Sequence, residues 1–349
     1  MDPHDYLAFL SESQARMDLL RDLADQEVPI TKSELASIRS TTRVTVHRNL
    51  DHMAEWRWVE NDTEAKVRLT IAGRLVFRAY EKFCDRAGNE APKFLGGSPH
   101  RPALLRYLAD LDSTVGYSTL QAAITASQST LTRILDGFTT RNWATQPSRN
   151  QYKLTDLGAQ VAQAYTAFTG ALDWVTTHAK LVNRLGTIGR ILPLDALAHG
   201  DMVAVKARPA DPDRAIEFYA NRVREADPDT LVGITPVASP YLNEIHKTLL
   251  ETGSTIDLIV DTTVLETAKA RYPHSLKAAH DLPIELYCHP ARLEFGLAIF
   301  DDQAILGAYN EHSGHLWACL SSTDRRFRDW AEDLFSQHRS RATEYRAEA

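Results

Sequence analysis

Apolar and polar positions alternate along the first 84 residues in a pattern that names each element in turn. Met17, Leu19, Leu20 and Leu23 fall at helical spacing within residues 12–26, and Pro29 closes the segment. Thr31-x-x-Glu34 has the form of a capping box and starts a short second helix that ends at Ile38. The polar run Arg39–Thr42 reads as a turn. A third helix follows to about Ala54, with Val46, Leu50 and Met53 along one face. Val59-Glu60 and Val67-Arg68-Leu69 flank N-D-T-E-A-K, including Asp62 and Glu64, as the two strands of a wing. A fourth helix over 70–84 holds Val76, Ala79, Tyr80 and Phe83. Helix, helix, turn, helix, hairpin, helix is the order of a winged helix-turn-helix.

The pattern then returns at a constant offset of 85 residues, Arg16 to Arg101, without a gap. Identities include Ser33/Ser118, Leu35/Leu120, Thr45/Thr130, Arg48/Arg133, Leu50/Leu135, Asp51/Asp136, Trp58/Trp143, Gly73/Gly158, Tyr80/Tyr165 and Phe83/Phe168. A period this long is a duplicated domain and not a solenoid unit. Between the copies, A-G-N-E-A-P-K-F-L-G-G-S-P reads as a Gly/Pro-rich linker. The last helix of the second copy, from Asp156, runs on through Leu172, Trp174 and Val175 towards Gly186. It reads either as a dimerisation or interdomain helix or as two helices broken at Gly170.

From residue 200 strands alternate with helices. M-V-A-V-K-A, T-L-V-G-I-T-P, T-I-D-L-I-V-D and I-E-L-Y-C-H read as strands separated by helices. F-G-L-A-I-F-D-D, Q-A-I-L-G-A-Y and H-L-W-A-C-L follow at short intervals as an antiparallel meander, and R-D-W-A-E-D-L-F closes as a helix. The expected fold is α+β and multidomain: two tandem winged helix-turn-helix domains, then an α/β domain with a mixed sheet. The expected boundaries are 1–90, 98–168, a linker or dimerisation helix at 169–190, and 191–340.

Charge divides the chain more than its net value of −7 implies. Residues 1–95 hold 14 Lys+Arg against 16 Asp+Glu, residues 96–190 hold 9 against 5, and residues 191–349 hold 16 against 25. A basic middle segment permits an anionic partner near the repeats. No apolar run approaches the ~18–20 residues needed to span a bilayer, and the start M-D-P-H-D-Y lacks a signal-peptide pattern. Cys84, Cys288 and Cys319 form no C-x-x-C and suit a reducing interior, so the expected location is cytoplasmic, without membrane contact.

The third helix of a winged helix enters the DNA major groove with its N-terminal residues at the base edges. Steps of ~100° per residue put Val44, His47, Arg48 and Asp51 opposite the Val46/Leu50 core face; Ser129, Thr132, Arg133 and Asp136 take those places in the second copy. Arg can grip guanine bidentately, and Ser, Thr and Gln reach base edges or phosphate. The candidate contacts to double-stranded DNA are Thr41, Thr42, Arg43, Val44, Thr45, His47, Arg48 and Lys66, with Gln128, Ser129, Thr130, Thr132, Arg133 and Arg149. The alternative for the two arginines is an i,i+3 ion pair with Asp51 or Asp136. The first copy also has Arg39 before its helix, and the second has Arg141, Arg149 and Lys153 around its wing. In the α/β domain, Thr235, Ser239, Asp261, Thr262 and Thr263 follow strand ends, where open sheets bind ligands. They are candidates for a small-molecule effector site, with helix capping as the plainer role. His312-x-x-His315 lies in a predicted turn without a third ligand, Cys288-His289 reads as packing, and no phosphate loop occurs, so no metal and no cofactor is expected.

A-S-Q-S-T-L-T-R-I-L-D-G-F-T-T-R-N-W with Y-K-L-T-D-L-G resembles the winged helix of archaeal transcription regulators. These regulators have a middle domain named after the methanogenesis regulatory protein FilR. L-V-G-I-T-P-V-A-S-P-Y, G-S-T-I-D-L-I-V-D, F-G-L-A-I-F-D-D and S-T-D-R-R-F-R-D-W-A-E-D-L-F are similar to that middle domain in the same order, over roughly 100–335. The resemblance implies a homodimeric transcription regulator whose C-terminal domain senses an effector or drives assembly; the additional winged helix at 12–84 departs from it. It also implies a sandwich like that of phospholipase D. That chemistry uses a His, a Lys two residues on and an Asp further along, and only His178-Ala179-Lys180 has the first spacing, with Leu185 in the Asp position. The expectation is a non-enzymatic DNA-binding regulator; the alternative is a winged-helix adaptor between proteins.

Overall fold

The computed structural model describes residues 3–346 apart from 27, 63–65, 112, 199–201 and 311, so Glu64 and Glu311 lie outside the described residues. The chain divides into two compact units, Met1–Ala179 and Lys180–Ala349.

The first unit is the duplication. Its first copy runs α1 (Pro3–Glu12), α2 (Gln14–Asp25), β1 (Ile30–Thr31), α3 (Lys32–Ile38), α4 (Arg43–Glu55), β2 (Val59–Asn61), β3 (Lys66–Leu69) and α5 (Ile71–Ala87). The second runs α6 (Glu90–Gly96), α7 (His100–Ala109), β4 (Val115–Gly116), α8 (Tyr117–Ala123), α9 (Gln128–Thr140), β5 (Ala144–Ser148), β6 (Gln151–Leu154) and α10 (Asp156–Thr177). Each copy folds its wing into a three-stranded antiparallel sheet, β1-β3-β2 and β4-β6-β5. The copies are larger than the periodicity predicts, because each starts with a further helix. The stretch read as a linker holds α6, which buries Ala91, Pro92 and Leu95. Pro92 fits its first turn, where backbone N–H groups have no intrahelical acceptor to lose. The helix from Asp156 is continuous through Gly170 for 22 residues.

The junction between wing and last helix shows why certain residues recur. Arg57 (φ 61°) and Asn142 (φ 57°) turn the chain after α4 and α9 through the left-handed region. Thr70 N donates to Trp58 O at 2.9 Å and Thr155 N to Trp143 O at 3.0 Å. The two threonine hydroxyls cap α5 and α10 by accepting from Gly73 N and Gly158 N at 3.1 and 3.0 Å. This cap draws the helix onto the tryptophan carbonyl. A Cβ would sit 2.0 Å from Trp58 O at Gly73 and 1.9 Å from Trp143 O at Gly158, so only glycine fits.

Helix α11 (Ala179–Val182) spans the boundary, and the second unit continues with a 3-10 turn Gly186–Ile191 and α12 (Leu194–Ala198). Then come β7 (Val203–Lys206), α13 (Arg214–Ala226), β8 (Thr230–Ile234), α14 (Pro240–Thr252), β9 (Thr255–Asp261), α15 (Thr262–Arg271) and α16 (Pro273–Ala278). The remainder is β10 (Ile284–His289), β11 (Phe295–Phe300), β12 (Gln303–Tyr309), β13 (Leu316–Ser322), α17 (Arg325–Arg339) and β14 (Thr343–Glu344). They build one eight-stranded mixed sheet, β14-β10-β9-β8-β11-β12-β13-β7. Strands β8, β9 and β10 are parallel, as right-handed strand–helix–strand units require, and β11 to β13 form the antiparallel meander. Helices α13 and α14 cover Ile256, Ala298, Phe300 and Ile305. Helix α17 packs against β11, with Phe295 against His338, so every residue of β11 is buried.

Gly73→Ala or Gly158→Ala should each destabilise the first unit by about 3 kcal/mol or more, since backbone must move to admit the methyl group. Gly116→Ala, with 3.5 Å of clearance, should cost far less. Urea unfolding followed by tryptophan fluorescence separates the three.

Candidate nucleic-acid interface

Helix α4 buries Val46, Asn49, Leu50 and Met53, and α9 buries Leu131, Ile134, Leu135 and Phe138. The opposite faces meet solvent: Arg43, Val44, His47, Arg48 and Asp51 on α4, Gln128, Ser129, Thr132, Arg133 and Asp136 on α9. Val44 is 78% exposed, an apolar side chain that packing within the unit does not use. The start of each helix is fixed by equivalent side chains. Thr42 accepts from Thr45 N and Ser127 from Thr130 N, both at 3.2 Å, and the Thr45 and Thr130 hydroxyls lie 2.9 and 2.8 Å from the two caps. Thr42, Thr45 and Thr130 therefore define the helix start as well as facing outward. Thr41 closes the preceding turn by donating its N–H to Ala36 O at 3.0 Å.

Asp51 is taken by His47, whose Nδ1 lies 2.6 Å from Oδ2. Arg48 is left with no acceptor among the described residues, and Arg133 likewise makes no ion pair with Asp136. Neither arginine thus makes the i,i+3 ion pair that its spacing offers among the described residues. Arg43 on the first helix and Arg149 and Lys153 on the second wing are also exposed without an acceptor among the described residues. Lys66, at the turn end of the first wing, is half-buried, and its backbone N–H donates to Asp62 at 2.8 Å.

Two cations read from the sequence as interface charges do other work. Arg39 turns back from the helix-turn-helix onto Asp22 (2.5 Å) and Asp18 (3.6 Å) of α2. Arg141 lies 3.8 Å above the Phe94 ring and donates to Gly137 O at 3.1 Å. Both are held because an acidic or aromatic partner is in reach, which a spacing argument along one helix does not see. Conversely, Tyr117 was missed. Its hydroxyl donates to Gln128 O at 3.0 Å and lies 3.1 Å from Thr132 Oγ1, so it braces the outward face of α9. It opens α8, where the first copy has Lys32, and no periodicity marks it. The first wing pairs Glu60 with Arg68 at 2.6 Å and has Asp62 at its turn, whereas residues 144–154 contain no acidic residue. Cations thus concentrate on the helix in one copy and on the wing in the other.

In the second unit the five effector candidates do not form one site. Ser239 and Asp261 are helix caps, accepting from Leu242 N (3.5 Å) and Val264 N (2.9 Å); Asp261 is buried and also accepts from Leu293 N at 3.0 Å. Ser239 and Thr263 line a cleft of about 510 Å³ with Pro236, Tyr241 and His315, at the ends of β8 and β9. Thr262 is exposed near Cys288. Thr235 belongs to a small buried chamber with Tyr219, His246, Tyr309 and Cys319. There Tyr219 Oη meets His246 Nε2 at 2.9 Å. Burial lowers His246 to about 4 and raises the Cys319 thiol to about 12, so both are neutral near pH 7. His312 and His315 are exposed in a turn, and among the described residues no three His, Cys, Asp or Glu side chains gather as a metal site. His178 caps the end of α10 with its ring on Trp174, 4.6 Å between centroids. Among the described residues no helix is long and apolar enough to cross a membrane.

His246 binds its proton in the unfolded chain near pH 6.5 and in the folded one near 4. Its contribution to stability is therefore complete above pH 6.5 and lost as pH falls towards 4, by roughly 3 kcal/mol. His246→Gln should flatten that part of the stability-against-pH curve relative to the parent chain; parallel curves would show that the histidine does not drive it.

Comparison with known proteins places these elements. Residues 212–341 match the middle domain of the methanogenesis regulatory protein FilR1. The HVO_A0261 N-terminal domain matches twice, over 4–92 and 89–176, the span of each copy from its added first helix onward. No curated protein matches the chain. Solved structures similar to it include TrmBL2, an archaeal chromatin protein whose structure shows a novel mode of DNA binding, at 12% identity over 70% of this chain and 94% of that one, TM-score 0.31. NucT from Helicobacter pylori is similar at 12% identity over 41% and 98%, TM-score 0.32. Nuc from Salmonella typhimurium, a phospholipase D family member, is similar at 11% over 42% and 99%, TM-score 0.32. Two copies of the HVO_A0261 N-terminal domain ahead of a FilR1 middle domain are thus the domain content of this chain, and together they support an archaeal regulator.

Proposed function

We propose that the chain is a sequence-specific DNA-binding regulator in which both winged helices touch double-stranded DNA. The observation that supports this most is the pair Arg48 and Arg133. They occupy equivalent outward positions on α4 and α9 and have no acceptor among the described residues, although a carboxylate lies three residues on in each helix. Arginine held out on a groove-reading helix is poised for bidentate contact with guanine or for phosphate. Arg43 and the exposed methyls of Val44 extend the first face, one for charge and one for a thymine methyl group. Arg149 and Lys153 extend the second along its wing, where phosphate contact adds affinity without sequence information.

The domains of the proposal are the two copies as readers and the second unit as sensor. The cleft at the ends of β8 and β9, with Ser239 and Thr263 on its wall, is the proposed effector site. Its volume lies within the ~300–1,000 Å³ of small-molecule sites. Helix-capping by Ser239 and Asp261 gives the cleft a fixed rim rather than competing with binding. On this reading the chain needs no catalytic group. His178 of the His-Ala-Lys sequence is engaged with Trp174, which supports a regulatory and not a hydrolytic role.

Arg48→Ala and Arg133→Ala should each weaken binding to the chain's own genomic target by about tenfold or more, and each should reduce the dependence of affinity on salt when the contact is to phosphate. Gel shifts at several salt concentrations make the comparison. Binding that is absent in the parent chain would favour a protein adaptor.

A further inference from the structure

The two copies meet through surfaces that the duplication maps onto themselves. Helix α5 packs along α10, its own equivalent, and α1 packs against α6, its own equivalent. The crossed contacts α1 with α10 and α6 with α5 exchange with one another under the same mapping. Side chains repeat the relation. Phe83 stacks on Phe168 at 5.2 Å and 16°, and these residues are 85 apart. Tyr80 meets Phe168 at 6.1 Å, and the equivalent pair, Tyr165 with Phe83, stands at 6.2 Å. A head-to-tail tandem would join unlike surfaces; contacts that map onto themselves are the mark of an isologous two-fold.

We infer that residues 3–177 are an intrachain two-fold reader: one chain presents α4 and α9 to the two halves of a single inverted, unequal site in double-stranded DNA. The inference rests on the DNA-binding reading above. A two-fold axis between Phe83 and Phe168 carries α4 onto α9, so both outward faces have the same orientation along that axis. The duplex has its own two-folds perpendicular to its length, and a protein two-fold placed on one of them reads half-sites of opposite direction. The halves differ because the faces differ. Arg48 and Arg133 are shared, whereas Arg43, Val44 and His47 stand where the second copy has Gln128, Ser129 and Thr132. Homodimers of single-copy readers are bound to equal halves; this chain is free of that constraint. The two-fold is broken at one end, where α10 outlasts α5 and Trp58 Nε1 donates to Thr176 Oγ1 at 3.4 Å.

Selecting bound duplexes from a random pool with the full-length chain, then with Arg48→Ala and with Arg133→Ala, tests this. The selected sites should contain two inverted half-motifs with one base pair in common and differing flanks. Each substitution should relax the common base pair in one half only, lowering its enrichment about tenfold while the other half persists. Both changes are at exposed positions, so folding of the chain is preserved, and circular dichroism verifies it. Direct repeats, a single half-motif or identical halves would overturn the two-fold inference and leave DNA binding standing. No enrichment of any sequence would overturn both.

Discussion

The α5–α10 seam is the contact on which the first unit depends. Phe83 is 1% and Phe168 is 3% exposed, and each supports the other and the tyrosine of the opposite copy. Full burial of one such ring is worth ~1.5–3 kcal/mol, with a further ~0.5–1.5 kcal/mol for the aromatic contact. Without the seam, each copy would expose the apolar side of its last helix. With it, two small domains share one interior, and their outward faces are related by a fixed rotation. The rotation follows from hydrophobic packing at a distance from the exposed residues of α4 and α9, so those residues can change without disturbing the scaffold.

Much of this was legible in the sequence, for a physical reason. Helices α2 to α5 and their equivalents have amphipathic periods, capping residues and turn residues that act locally, and the gapless offset supplies each reading twice. Gly73 and Gly158 stand out as repeated, yet only the structure shows that they admit a tryptophan carbonyl. Helix α6 is hidden because Gly and Pro in 88–99 resemble a linker, and α1 packs against α6, a tertiary contact that no local pattern reports. The same limit explains Arg39 and Arg141, whose places beside the outward helix and the wing suggest interface charge and which tertiary partners draw away. Tyr117 was invisible in the reverse sense, since its role comes from the neighbouring helix and not from its own spacing.

The second unit separates what caps from what could bind. Asp261 satisfies two backbone N–H groups in the interior, so its carboxylate is committed to holding β9, α15 and the Leu293 loop together. Thr235 points into a chamber whose histidine, tyrosines and thiol are kept neutral by burial, a setting in which ionisation is costly. The open cleft beside it, lined by Pro236, Ser239, Tyr241 and Thr263, has the accessibility that the chamber lacks. A regulatory role for that cleft requires a ligand that binds two states of the chain unequally.

If one chain supplies both halves of a two-fold reader, each chain occupies a whole inverted site by itself, whatever the assembly of the free protein. Light scattering on the complex formed with excess duplex, each duplex having one inverted site, measures this. The expected composition is one chain, 39.1 kDa, for each duplex bound, a homodimer taking up two duplexes. Two chains for each duplex bound under excess duplex would show that the halves are read by different chains.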